Sequence, residues 1–252
     1  AAIQKKTASF PILKNGDEAE IFIRQTGGQI QLLTSDNYLL ESSSADLPPG
    51  VCADRLVKKM IQFGQAKFLR NLEVSSYQLP LEFEFVPVKI DPETFQVTEE
   101  LPLETKVDGS GNLHFQAGDV FKIKVTNNGE KSAYFTLMDI QPDNQLNILI
   151  PGEKEEPADF RIGAGDSVLV PNLFQIGPPE GTEVFKLVAT SQPIDLRPIA
   201  QNRGQTRSAS ANPFERLFAE TQFNEEVMTR RGRTLSIGSS KVNVFSRVFI
   251  ID

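Results

Sequence analysis

Gly118-Asp119-Val120-Phe121-Lys122-Ile123-Lys124-Val125-Thr126-Asn127-Asn128 is the clearest strand pattern in the chain. On an extended chain Val120, Lys122, Lys124 and Thr126 fall on one side, and Phe121, Ile123 and Val125 on the other. That two-residue period belongs to a strand with one face in a core. Similar runs occupy residues 133–140, 147–151, 160–162, 166–171 and 183–190. Each is short, rich in β-branched and aromatic residues, and bounded by Gly, Pro, Asn or Asp. Five or six such strands at spacings of about 10 residues, with no helical pattern between them, indicate a β-sandwich or a related β-module.

Upstream, two strand candidates at 10–13 and 19–24 precede a third, 29–34, across the Gly27-Gly28 turn. Residues 41–50, Glu-Ser-Ser-Ser-Ala-Asp-Leu-Pro-Pro-Gly, read as a loop. The following stretch is helical: Leu56, Val57, Met60, Ile61, Phe63, Gly64, Phe68 and Leu72 recur at three- and four-residue intervals, with Arg55, Lys58, Lys59, Gln62 and Gln65 opposite. Residues 81–85 then alternate strictly and continue to Ile90 through Pro87, which pushes this strand towards an edge or a bulge. Residues 91–112 form a polar, turn-rich connection. Residues 191–212 read as a mobile loop, Asn212-Pro213 caps a short helix over 213–223, and 242–251 is a strongly apolar closing strand. The chain is therefore expected to be mainly β: an antiparallel β-sandwich-like module with one long helix (about 53–72) and a short C-terminal helix. The expected division is 1–112, a helix-containing β region, and 113–252, the sandwich-like domain with an arginine-rich loop and the closing strand.

Composition narrows the function classes. With 39% hydrophobic residues in 252, a sizeable core is affordable, and no apolar run is long enough to span a membrane as a helix. The N-terminus has no apolar signal region and no initiator Met, as expected of a fragment or a processed chain. A net charge of −7 argues against nucleic acid as a partner. The single cysteine, Cys52, permits no internal disulfide and fits a reducing cytoplasm.

Candidate chemistry is sparse. His114 is the only histidine, and a Cys–His nucleophilic pair would need Cys52 beside it. Nothing in the sequence links them, so a buried thiol and a strand histidine are the expectation. Zinc spacing is absent. Asp139, Asp143 and Asn144 lack the glycine and terminal glutamate of a calcium loop and read as a hairpin turn. Gly163-Ala164-Gly165-Asp166 is a turn rather than a phosphate loop, and no Gly-x-Ser-x-Gly elbow exists. Glu82/Glu84 and Glu155/Glu156 read as solvated surface. No cofactor is expected. Seven arginines (197, 203, 207, 216, 230, 231, 233) against four glutamates make residues 197–233 locally positive. They read either as a solvated loop docking on acidic patches of the same molecule or as sites open to an Arg-directed protease.

The runs Gly118–Asn127, Tyr134–Ile140, Ile148–Pro151, Ile162–Asp166, Val170-Pro171 and Pro178–Thr190 resemble a β domain of unknown function, family 4384. That domain follows the protease domain in many bacterial caspase-like peptidases, the orthocaspase and metacaspase relatives. Lys67-Phe-Leu-Arg-Asn-Leu-Glu73 before the 81–88 strand, and Thr229-Arg-Arg-Gly232 before the last strand, are similar to the same architecture. The family's dyad is a His followed by Gly and a Cys preceded by Asp-x. Here Phe115 follows His114 and Gly50-Val51 precedes Cys52, so no catalytic role carries over. The resemblance implies a non-catalytic accessory, regulatory or recruiting region of a caspase-like cysteine endopeptidase. Its partners would be a protease domain, in cis or as a separate chain, and protein substrates. Because such peptidases cleave after Arg or Lys, Arg207, Arg230, Arg231 and Arg233 become processing or pseudo-substrate positions. The alternative is a stand-alone ligand- or carbohydrate-binding β-module. The absence of Trp and the presence of only three Tyr leave that alternative little for a sugar platform.

Overall fold

The computed structural model describes residues 19–35, 37–74, 79–200 and 242–252. The strand candidate at 10–13, the helix at 213–223, and Arg207, Arg230, Arg231 and Arg233 lie outside the described residues. The chain forms two compact units that divide between Asn71 and Leu72, the second also including the closing strand.

In the first unit, β1 (Ile21–Thr26), β2 (Gln29–Thr34) and β3 (Leu39–Ser44) make an antiparallel sheet in chain order. Gly27 and Gly28 join β1 to β2 with φ of +53° and +74°, the two positive angles that a type I′ hairpin demands and that L side chains resist. The helix α1 (Pro49–Arg70) packs Cys52, Leu56, Val57 and Met60 against Leu32 and Leu40 of this sheet. It begins a turn earlier than its periodicity indicates. Pro48 and Pro49 start it, because proline's fixed φ suits the first turn and its missing N–H is one that turn leaves unpaired anyway. The expected loop over 41–50 is thus corrected at both ends. Ser42, Ser43 and Ser44 extend β3 by pairing with β2, and the prolines open α1. Arg55 bridges to Glu41 at 3.0 Å and Lys67 pairs with Glu20. Asn71 caps the helix by donating from its amide to the Lys67 carbonyl.

The second unit is the sandwich. Its strands are β4 (Leu81–Ile90), β5 (Val97–Glu100), β6 (Leu113–Phe115), β7 (Val120–Asn127), β8 (Ala133–Ile140), β9 (Leu146–Ile150), β10 (Arg161–Ile162), β11 (Ser167–Leu169), β12 (Phe174–Gln175), β13 (Gly181–Thr190) and β14 (Val242–Ile251). One sheet runs β10-β8-β13-β14-β6, with β9 on the same edge of β8 as β10. The other runs β11-β7-β4-β5, with β12 beside β11 on β7. Every pairing is antiparallel except the short parallel match of β6 with β14.

Val120, expected on the same side as Lys122, is buried, but the alternation holds over 121–126: Lys122, Lys124 and Thr126 are only half-buried, while Phe121, Ile123 and Val125 are fully buried. They meet Phe83 and Phe85 of β4 and, from the facing sheet, Leu137, Phe185, Leu187 and Phe249. Pro87 does not displace β4 from the sheet. Its carbonyl accepts from the Leu101 N–H, so its missing donor lies on the flank away from β7 and the β4–β7 ladder stays whole. The connection over 91–112 contains β5 and a 3-10 turn, Leu103–Lys106. Strands β4 and β5, which precede residue 113, therefore belong to the same sandwich as β7. The fold is mainly β, as expected, with antiparallel sheets and a single long helix among the described residues.

Candidate functional site

A group of titratable side chains stands where β6 meets β14. Extended backbone in β6 places Leu113 and Phe115 inward and turns His114 outward, half-buried. Asp108 opens the tight loop before β6, and its Oδ1 accepts the Ser110 and Asn112 N–H groups at 2.8 and 2.9 Å. Its Oδ2 lies 3.1 Å from His114 Nε2. Beyond β14, Asp252 gives its N–H to the Phe115 carbonyl and sets its own Oδ2 2.8 Å from His114 Nδ1.

Carboxylates only accept, so both contacts are hydrogen bonds only when both ring nitrogens carry protons. Asp252 first, then Asp108, therefore hold the imidazole above its ordinary pKa, against partial burial. The Asn112 N–H and the other loop donors hold Asp108 below the ordinary carboxylate value, again against burial. Alongside, Lys106 bridges to Asp119 at 2.5 Å and rides over the Phe115 ring.

An imidazolium with both N–H groups committed has no lone pair to take a proton from a thiol or to bind a metal. Cys52 lies in the first unit's core, 4% exposed on the buried face of α1, as a small apolar side chain would. No group of three or more potential metal ligands occurs among the described residues. The Asp143 region forms the hairpin turn between β8 and β9, with Asp143 accepting from the Gln145 N–H. Glu84 pairs across strands with Lys124 at 2.8 Å.

Three polar groups that the sequence did not mark hold the sandwich in shape. Lys186, 1% exposed in the middle of β13, donates to the Leu72 carbonyl and to Ser246 Oγ. It ties the segment entering the unit to β14. Asn127, fully buried, links two loops. Arg197, grouped by composition with the arginine tail, is instead a clamp and the one arginine of that group among the described residues. Its Nη1 reaches the carbonyls of Gly152, Glu153 and Glu155 at 2.9–3.2 Å. Its Nε and Nη2 take both oxygens of Asp195. Burial raises the Asp195 pKa, but the guanidinium more than offsets this and holds it below its ordinary value. Only the planar fork of arginine reaches both targets at once. Arg197→Lys is therefore expected to lower unfolding free energy by about 1–2 kcal/mol, read by urea titration, and Arg197→Ala by more. An unchanged midpoint in both would show the clamp idle.

Residues 114–193 match the family model described as Domain of unknown function (DUF4384). No curated protein matches the chain. The matched segment runs from His114 in β6 to just past β13, and includes neither β4 and β5, nor β14, nor the first unit. The second unit therefore contains a DUF4384 domain whose two sheets are completed by strands from either side of the match.

Proposed function

We propose that the chain is the non-catalytic accessory region of a caspase-like cysteine endopeptidase. In this reading it packs on a protease domain, in cis or as a separate chain, and regulates access or recruits protein substrates. The observation that carries the non-catalytic half is the state of His114: within the matched domain the only histidine has both ring nitrogens bound to carboxylates. Cys52 is buried in a different unit. The peptidase half rests on the likeness of the β7, β8, β9 and β13 runs, and on that of the 67–73 and 229–232 sequence segments. The carbohydrate-binding alternative gains little. Among the described residues the exposed aromatics are Phe22, Tyr38 and Phe95, which do not form a row on a sandwich face.

The purified chain is expected to hydrolyse no Arg- or Lys-peptide. Cysteine-dependent cleavage that disappears in Cys52→Ser would overturn the proposal. Incubation with an active Arg/Lys-specific caspase-like peptidase is expected to cut after Arg207, Arg230, Arg231 or Arg233, and peptide mapping by mass spectrometry that finds all four bonds intact counts against the processing role.

A further inference from the structure

We infer that His114 is a proton-operated clasp that fastens β6 and the 108–112 loop to the end of β14. β6 is anchored in the core by the Phe115 ring but has little backbone pairing. It is an edge strand of three residues, paired in parallel with Phe249, Ile250 and Ile251 only. Its loop joins it through the single bridge of Val107 with Leu113. Two carboxylates thus converge on one imidazole: Asp108 from the loop six positions before His114, and Asp252 from beyond β14, 138 positions after it.

Doubly protonated, the ring donates to both carboxylates at once. Neutral, it can donate to one and must turn a lone pair towards the other, which breaks one contact and makes it repulsive. The charged groups facing His114 are Asp108 from the loop and Asp252 after β14. Lys106, on the 103–106 turn packed against β6, is already held by Asp119 and lies over Phe115.

The sign follows from linkage. The folded pKa of His114 stands above its ordinary value, so the clasp contributes fully below that value, near 6.5, and is lost as pH rises through the folded value. At the acid end, Asp108 keeps its charge to below the ordinary 3.8. With the clasp open, the 108–112 loop and Asp252 lose their shared tie, and because the Phe115 ring stays in the core the pairing of β6 with residues 249–251 of β14 loosens without detaching.

Because the chain has one histidine, its proton magnetic resonance titration is unambiguous. The midpoint is expected above 6.5 in the intact chain and lower in Asp252→Asn and in Asp108→Asn. Between about pH 6 and about pH 9, the Asp252 and β6 amides are expected to lose protection against hydrogen exchange, corrected for chemical exchange. The loss is about tenfold for each unit by which the folded pKa exceeds the unfolded one. Core amides such as Ile123 and Leu187 keep theirs. His114→Gln, at a half-exposed position, leaves the fold intact and flattens this dependence. A midpoint at or below 6.5, or the same pH curve in His114→Gln, overturns the inference.

Discussion

Truncation of Phe85 to alanine is expected to lower unfolding free energy by about 3–5 kcal/mol, the upper range for a buried aromatic. Phe85 is 2% exposed, and its ring centroid lies 5.0–5.7 Å from those of Phe83, Phe115, Phe121, Phe185 and Phe249. Those neighbours come from both sheets, and most meet it edge to face, the geometry that ring quadrupoles favour. Removing it leaves a void that five rigid rings cannot close without breaking their own contacts. Against a total of about 5–15 kcal/mol for an ordinary domain, the loss is a fifth or more. Phe85→Leu is expected to lose about 1–2 kcal/mol, since most of the volume remains. Phe95→Ala, 66% exposed, should stay within about 0.5 kcal/mol. Urea unfolding of the three variants orders them, and a cost under about 1 kcal/mol for Phe85→Ala would show that the two sheets do not close on it.

The same geometry bears on the matched domain. Phe83, Phe85 and Phe249 all lie outside residues 114–193, and without them half of the aromatic cluster is gone. A fragment cut at the ends of the match is therefore expected to show no cooperative unfolding transition, whereas one that includes β4 and β14 should.

Physical reasons separate what could be read in the chain from what could not. Strands β2, β4, β8 and β14 follow the sequence at both ends because period-two apolar residues and flanking breakers mark them directly. The weakly marked strands β3, β5 and β12 exist through their partners. Ser42–Ser44 and Glu99-Glu100 have little intrinsic strand preference, and Val97-Thr98 is too short a run to mark a strand. They become extended because β2 and β4 offer unpaired edges, with Lys89 meeting Glu99 at 2.6 Å across one of them. The His114 clasp has no local signature at all. Asp108 looks like any turn aspartate, and Asp252 is brought to the ring only by the parallel pairing of two strands whose register no local pattern encodes. Arg197 was hidden by its neighbours' composition. Its role depends on three carbonyls some forty residues upstream that point one way only after the 151–156 turn has folded.

Asn127 supplies the second large effect, and it tests hydrogen bonding rather than packing. It ends β7 fully buried, opposite Leu81 of β4. Its Nδ2 donates to the carbonyls of Lys131 and Gly163, both at 2.8 Å, and its Oδ1 accepts from the Gly129 N–H at 3.0 Å. One amide thus secures the β7–β8 and β10–β11 loops together. Asn127→Ala removes partners from three backbone groups in a place with little access to water, and about 2–4 kcal/mol of stability should go with them. Asn127→Asp keeps the shape yet replaces a donor with a carboxylate aimed at two carbonyl oxygens. At neutral pH it should be at least as damaging as alanine. Its folded pKa must then lie above the unfolded value of about 4, so the proton is bound more tightly in the native state and the penalty grows as pH rises through that value. Stability of Asn127→Asp should accordingly recover, relative to the parent, as pH falls towards about 4, because a protonated carboxyl can again donate one of the two bonds. Asn127→Ala should show no such recovery. Equal stability of the aspartate variant and the parent at neutral pH would mean that the loops are held by their own backbone bonds and that Asn127 only fills space.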